Sequence, residues 1–355
     1  MIKASQGKDR AQVALHDMKK LRLFPLLLAL ALTLSACGRG PQRYDATFWD
    51  LFDTVTTVMA VTESQTEFDA ISQTVESELG YYHRLFDIYN DYEGLNNLKT
   101  VNDMAGIAPV QVEAELIAFL KDCVSYYALT GGRVNVAMGS VLQLWHETRS
   151  AALEDPASAA LPEEAALQQA AAHADIQNLV IDEAAGTVYL SDPEMRLDVG
   201  AIAKGWATQR VAEKLPEGVL LSVGGNVCAT GAKDESGTAW TVGVQDPDSD
   251  GYLQTLQLTK GSAVTSGDYQ RTYEVEGKAY HHIIDPDTLY PSAYWRSVTV
   301  IAEDSALADA LSTALFLLPL EEGQTLLQKT GAEAMWMDGE GALCYSAGFQ
   351  DFLTP

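Results

Sequence analysis

The chain has 355 residues, enough for one large or two ordinary domains with an ample core. Hydrophobic residues make up 47% and charged residues 20%, an ordinary globular balance that excludes disordered and fibrous classes. A formal net charge of −26 argues against nucleic acid as a partner, because no basic face is visible; an anionic ligand would have to be held locally, by backbone donors or a metal.

The N-terminus reads as a targeting segment. Lys19, Lys20 and Arg22 precede an apolar run from Leu23 to Leu34, too short for a comfortable membrane span, and Leu34-Ser35-Ala36-Cys37 follows. That ending resembles a bacterial lipobox. The resemblance implies a lipoprotein signal peptide over residues 1–36, cleavage before Cys37, lipid on its thiol, and an anchored, extracytoplasmic protein. Met18 would make a tidier start than Met1. Residues 1–36 carry six Lys/Arg and two Asp/Glu, so removing them leaves 17 basic and 47 acidic side chains from 23 and 49, a net of −30. Cys123, Cys228 and Cys344 are far apart and not at metal spacing, so they read as structural thiols; one disulfide is possible, with its pairing open.

Residues 37–47 read as a polar tether, with the main domain at 48–355. Phe48–Val61 is rich in Thr, Val and aromatics, as a strand is. Ser64–Phe86 has helical spacing, with Phe68, Ile71, Val75, Leu79 and Leu85 on one stripe. Phe86–Tyr92, with Gly94, Asn96, Asn97 and Asn102 beyond it, is a polar, aromatic loop of the kind that carries ligand contacts. Val112–Leu129 reads as a second amphipathic helix. Residues 147–175, Ala-rich and acidic with Pro156 and Pro162, read as a surface helical insertion. Leu179–Leu190 predicts a hairpin turning near Ala184-Ala185-Gly186, and Leu197–Leu215 a turn followed by a helix. Val219–Gly231 is a buried strand with a Gly-Gly turn. Strands follow at 240–244, 253–258, 297–302, 332–337 and 342–346, with a helix over 305–318. Strands outnumber helices and hairpins mix with crossovers, so the fold class is α+β with largely antiparallel sheets and packed helices.

Four clusters could carry chemistry. In Ser262–Thr288, Thr265-Ser266-Gly267-Asp268 reads as a turn whose amides could approach a phosphate. Tyr280–Ile284 reads as a buried strand with two adjacent imidazoles, His281 and His282, of which only one can face a given site. Asp285-Pro286-Asp287-Thr288 then breaks it. In the helix over 305–318, Asp309 and Thr313 lie one turn apart on an otherwise apolar face; a carboxylate, a hydroxyl and backbone carbonyls suit Mg²⁺, although a helix acid beside an ordinary Thr is the simpler reading. Gly200 and Gly205 bracket Lys204 near a helix start, a fair phosphate cradle without the P-loop spacing. Gly224-Gly225-Asn226 is a third turn that exposes backbone.

As a set these stretches resemble the ApbE family of FAD:protein FMN transferases over nearly the whole mature chain. FDIYNDYEGLNNLKTVN, LDVGAIAKGWA, LLSVGGNVCATG, VTSGDYQRTYEVEGKAYHHIIDPDT and ADALSTALF carry the resemblance. It implies a T-fold-like α+β architecture and transfer of the FMN moiety of FAD to a Thr or Ser hydroxyl of an acceptor, with Mg²⁺ and release of AMP. Acceptors resembling the flavin-carrying subunits of Rnf-type and sodium-pumping quinone reductase complexes would fit. The resemblance implies Asp309 and Thr313 as Mg²⁺ ligands, with the Ala201 carbonyl and Ser312 helping. Tyr89 would stack on flavin or adenine, and Lys204, Gly224, Gly225, Thr265, Ser266 and Gly267 would line the nucleotide. His282 would be the acid–base residue, with Asp268 or Asp285 orienting its neighbours. Leu289 stands where a Gly usually follows the Asp-Pro-x-Thr turn, and Asn135 and Gln209 where Asp is common. Two other readings stay open: an FAD pyrophosphatase using water, and a non-catalytic FAD-binding lipoprotein.

Overall fold

A computed structural model describes residues 40–354. The targeting segment and Cys37 lie outside the described residues. The elements run β1 (Gln42–Leu51), β2 (Thr54–Thr62), α1 (Gln65–Phe86), α2 (Leu98–Asp103), β3 (Val110–Gln111), α3 (Ala114–Leu129), α4 (Gly139–Glu154), α5 (Glu164–Ala171), β4 (Leu179–Asp182), β5 (Thr187–Leu190), α6 (Ala203–Ala212), β6 (Val219–Val223), β7 (Asn226–Ala229), β8 (Trp240–Gln245), β9 (Tyr252–Leu258), β10 (Gly261–Gly267), β11 (Tyr273–Val275), β12 (Lys278–Tyr280), β13 (Ser297–Ala302), α7 (Ser305–Phe316), α8 (Leu320–Leu327), β14 (Glu333–Met337) and β15 (Leu343–Tyr345).

Eight strands form one antiparallel sheet in the order β1-β2-β6-β7-β10-β13-β14-β15. Its central strands are apolar on both faces, as a covered sheet requires. Alternation sorts them: Val219, Leu221, Val264, Val300 and Trp336 join the large core under the helices, while Leu220, Ala263, Ile301 and Met335 join a second core with the β8–β9 hairpin and Phe349. A third cluster joins α4 and α5 to the β11–β12 hairpin around Trp145, Leu167, Tyr273 and Leu289.

Helix α1 forms as its spacing predicts, and all five stripe residues are buried. Ser64 caps it, its hydroxyl accepting from the Glu67 amide. Helix α7 is buried at ten of its positions and packs on β10, β13 and α6, so any polar group on it must be satisfied inside the protein.

Several expectations change. The tether ends early: Gln42–Thr47 already belongs to β1, an edge strand with no fully buried position, in which Tyr44, Ala46 and Phe48 alternate with exposed residues and pack on the large core. The single strand over 48–61 is a hairpin turning at Phe52 and Asp53, both at positive φ. Val219–Gly231 is likewise a hairpin, with Gly224 and Gly225 as its turn. The 147–175 segment is not simply a surface insertion, because its first part continues α4, and Leu167 and Ala152 are buried in the third cluster. Thr265, Ser266 and Gly267 are not a turn but the end of β10, paired with β13 up to Gly267. The strand at 280–284 stops at Tyr280. Cys123, Cys228 and Cys344 are free.

Candidate active site

A cavity of about 590 Å³ opens where the ends of these elements meet. Its walls are the Phe52–Thr54 turn, the loop after α1, one face of α4, the 198–204 segment, Gly224 and Asn226, the end of β10, His281 and His282, and Asp309 and Thr313 of α7. The volume suits a ligand of dinucleotide scale or smaller.

Asp309 is the best-defined group. Its Oδ2 accepts from the Gly205 amide at 2.7 Å and from Asn226 Nδ2 at 3.0 Å. Oδ1 receives no hydrogen bond among the described residues, and Asp309 lines the cavity. Burial raises the carboxyl above its ordinary range, with the Lys204 charge opposing. The Gly205 amide belongs to the first turn of α6, whose donors have no partner within the helix, and Asp309 supplies one. The Ala201 carbonyl, just before that turn, and the Thr313 side chain also line the cavity. One carboxylate oxygen, one hydroxyl and one carbonyl match a hard cation that keeps its remaining positions for water or phosphate, as Mg²⁺ does. Among the described residues, no group of three His, Cys, Asp or Glu side chains could hold a metal, which fits a site with a single carboxylate.

Ser312 sits differently from its expected ligand role. It is fully buried, donates to the Asp309 carbonyl at 2.9 Å and shares a 2.8 Å hydrogen bond with Ser266 Oγ, so it fastens α7 to β10 behind the site. Lys204 lines the cavity and reaches the Gly200 carbonyl at 3.3 Å. Gly205 is no phosphate cradle: a Cβ there would lie 2.4 Å from both Asp309 Cβ and Ser305 O, so this glycine allows α6 and α7 to touch. Gly224 lines the cavity beside Thr54, whereas Gly225 does not. Strand β7 covers β10 only over Gly261–Ala263, so the edge beyond, at Thr265, Ser266 and Gly267, opens on the cavity.

Both histidines reach the cavity, because the chain has left the strand by then. His281 has both nitrogens engaged: Nε2 donates to Ser292 O at 2.8 Å and Nδ1 accepts from the Ile283 amide at 3.2 Å. His282 donates from Nδ1 to Gln270 O at 3.2 Å, which leaves Nε2 basic and without a partner among the described residues. Burial, then the charges of Arg271, Lys204 and His281, push the His282 pKa down to about 3. The ring is therefore neutral at physiological pH.

The two accessory carboxylates stand outside the cavity lining. Asp268 is fixed by Arg296 Nε at 2.9 Å; burial raises its pKa despite that ion pair. Asp285 is buried, accepting from the Asp287 amide and from Arg133. Both shape loops around the histidines and touch nothing in the cavity. Leu289 keeps a left-handed backbone at φ 63° although it is not glycine. Asn135 accepts from the Ala137 amide and donates to Ala174 O, and Gln209 accepts from the Ser305 amide at the start of α7. Each holds a backbone group.

The loop after α1 divides its labour. Asp87 accepts from Tyr89 N, Asn90 N, Asn90 Nδ2 and Tyr92 Oη; burial works to raise its pKa, but these bonds hold it below the ordinary range. Asn97 and Asn102 are buried staples: Asn102 donates to Leu197 O and accepts from Leu197 N, which sets the 198–204 segment. Tyr89 is exposed, and its hydroxyl lies 2.6 Å from His146 Nδ1, with the rings stacked. Burial first, then Asp198, raises the Tyr89 pKa to about 12, while burial lowers that of His146, so the phenol donates.

His146, Arg133, Arg149 and Arg271 were missed in the sequence. His146 and Arg149 lie on α4, Arg133 follows α3 and Arg271 follows β10, and only the fold shows that an acidic chain gathers Arg133, Arg149, Lys204 and Arg271 on one cavity.

The model of the ApbE family matches residues 52–336. A Treponema pallidum (strain Nichols) protein named FAD:protein FMN transferase is 35% identical over 274 residues, covering 72% of this chain and 74% of its own. One of the same name from Klebsiella pneumoniae (strain 342) is 32% identical over 260 residues, covering 69% and 78%. The crystal structure of the ApbE protein from Thermotoga maritima superposes with a TM-score of 0.79 at 28% identity, over 88% of this chain and all of that one. The Vibrio cholerae flavin transferase ApbE shares the fold, with a TM-score of 0.72 at 21% identity over 88% of this chain and all of that one. With its cavity built from the stretches that carry the family's pattern, and a match spanning most of its length, the chain belongs to the ApbE family.

Proposed function

We propose that this chain is an FAD:protein FMN transferase, and that it moves the FMN moiety of FAD onto a Thr or Ser hydroxyl of an acceptor protein and releases AMP. One observation carries the reading: Asp309 and His282, whose Oδ1 and Nε2 have no hydrogen-bond partner among the described residues, line the same cavity together with Lys204.

The acceptor hydroxyl oxygen attacks the FMN phosphorus and forms a phosphodiester. The anhydride bond to the second phosphate breaks, and AMP leaves with the electron pair. His282 Nε2 takes the hydroxyl proton, its ring aimed by the bond to Gln270 O. Lys204 and the open edge of β10 hold phosphate oxygens, and alignment matters more here than covalent help from the protein. Asp309, Thr313 and the Ala201 carbonyl would hold Mg²⁺, which when bound would neutralise diphosphate charge and stabilise the leaving group. Burial first, then the charges of Arg271 and Lys204, make His282 a weak base in the flavin-free site. A bound diphosphate would offset the part due to those charges and move the imidazole upward toward the range suited to a base.

A lipid anchor at Cys37 would place the enzyme on the extracytoplasmic face, where flavin-carrying subunits of the Rnf or sodium-pumping type are suitable acceptors. Among the described residues no helix is long and apolar enough to cross a membrane. Chromatography of products from FAD and Mg²⁺, with and without an acceptor domain, tests the reaction. AMP that appears only with acceptor supports transfer. AMP with free FMN in its absence indicates a pyrophosphatase, and unchanged FAD indicates a carrier.

A further inference from the structure

Arg149 and Arg271 line the mouth of the cavity, and neither makes an ion pair among the described residues. By contrast Arg133, on the same wall, is neutralised by Asp285 and Asp287. Two guanidinium groups side by side without a carboxylate repel each other, an arrangement that persists where an anion completes it. Arg149 Nη1 makes a long hydrogen bond of 3.5 Å to the Arg271 carbonyl, so Arg149 holds the backbone of Arg271. Arg149 Nε is buried with no partner. Arg271 sits at a left-handed φ of 49°, one residue after the Gln270 carbonyl that fixes His282. Burial and the Arg271 charge also lower the Arg149 pKa, as expected where positive charge lacks compensation.

Position decides which anion. Arg271 and Lys204 are the cationic side chains that act most on His282, whereas only Lys204 acts on Asp309. Lys204, Arg271, His282 and Asp309 line one cavity, and the Gln270 carbonyl that aims His282 immediately precedes Arg271 in the chain. A phosphate placed for attack beside His282 therefore lies in the cavity that both cations line.

We propose that Arg271, seated on Arg149, is a phosphate clamp that holds the non-bridging oxygens of the phosphoryl group being transferred, with Arg271 in contact and Arg149 as its positioning residue. The inference rests on the transferase reading for its substrate, yet it concerns phosphate recognition alone. The clamp stabilises the charge spread over those oxygens and keeps the phosphorus in line with the incoming hydroxyl.

Calorimetric titration of the full chain with FMN and with riboflavin, in chelator so that no metal contributes, tests it. Arg271→Gln should weaken FMN binding by at least about tenfold and leave riboflavin within about twofold, since the lost hydrogen bonds are charge-assisted. Arg149→Gln should shift FMN in the same direction by less, and Arg271→Lys should recover part of the loss. Equal losses for FMN and riboflavin would show a merely structural role and overturn the proposal, as would unchanged FMN affinity or an unsubstituted protein that does not prefer FMN to riboflavin. The two readings separate cleanly. A clamp-dependent FMN preference in a protein that modifies no acceptor leaves the clamp standing and removes the transferase, whereas normal acceptor modification by Arg271→Gln with unchanged FMN affinity does the reverse.

Discussion

The Gly205 amide donates to Asp309 Oδ2 at 2.7 Å across the contact between α6 and α7. The bond ties the carboxylate that would hold a cation to the helix start that carries Lys204, and it exists because residue 205 has no side chain. Gly205→Ala would force a methyl into 2.4 Å contacts with Asp309 Cβ and Ser305 O. We expect a loss of about 1–3 kcal/mol, the usual cost of overpacking, together with a weaker response to Mg²⁺. Denaturant unfolding with and without Mg²⁺ measures both, and a variant as stable as its parent contradicts the contact.

Asp309 itself is held at a cost. Its carboxyl is raised by burial, so ionisation disfavours the folded state once pH passes the carboxyl's unfolded value, and this cost grows until pH passes the folded one. Asp309→Asn keeps an acceptor for Gly205 and Asn226 while removing the charge. In chelator at neutral pH it should melt at or above the parent, with the advantage shrinking as pH falls to about 4. Mg²⁺ should raise the melting temperature of the parent and leave the variant unmoved. A chelated variant that melts well below the parent at neutral pH would rule this account out.

The adjacent histidines should separate by experiment. His281→Gln breaks bonds from both ring nitrogens and should lower stability by about 1–3 kcal/mol. His282→Gln should cut transfer by at least about 100-fold, with FAD affinity within a few fold. The pH behaviour has a definite sign. The His282 pKa is depressed to about 3, so between its unfolded value of about 6.5 and that point the unfolded chain binds a proton that the folded chain does not. Stability from this group is therefore present above about pH 6.5 and is lost as pH falls toward the folded value. Imidazole NMR of the flavin-free protein should show one ring neutral down to about pH 4 that His282→Gln removes; titration of that ring near pH 6.5 would contradict the geometry.

Leu289 offers a test of backbone against packing. Its left-handed φ favours glycine, but its side chain is buried among Trp145 and Tyr290, and its carbonyl accepts from Trp145 Nε1 at 3.0 Å. Leu289→Ala loses the packing and keeps the strain, at a cost of about 2–5 kcal/mol. Leu289→Gly loses the packing but relieves the strain, so it should be more stable than the alanine variant by about 1 kcal/mol. Thermal unfolding of the three proteins should rank Leu above Gly above Ala. An alanine variant as stable as the glycine one would show that the backbone there is not strained.

Much of the site was legible where chemistry and periodicity coincide. Asp309 and Thr313, four apart on an otherwise apolar helix, share one face and both line the cavity, although from spacing alone a helix acid beside an ordinary Thr was the simpler reading. The α1 stripe was equally clear, because 3.6-residue spacing leaves one way to bury five apolar side chains. Legibility ended where function depends on pairing between distant strands. Thr265-Ser266-Gly267 has the composition of a turn, yet β13 continues the ladder through it, and the useful feature is its open second edge. Gly205 resembled a phosphate loop and proved to be a helix crossing. Arg149 stands outside every stretch that carried the resemblance, and Arg271, inside one, drew no role, because only the fold brings α4 against the loop after β10. Residues 42–47 of β1 were read as tether although Tyr44, Ala46 and Phe48 alternate at strand spacing, because an edge strand with no fully buried position carries only a weak apolar signal.

The measurement that bears most directly on the central claim is the intact mass of an acceptor domain after incubation with the protein, FAD and Mg²⁺. The account predicts an acceptor heavier by one FMN, AMP in equal amount, and loss of both with His282→Gln or Asp309→Ala. An acceptor of unchanged mass while FAD is cleaved to AMP and free FMN, across several acceptor domains, would contradict it.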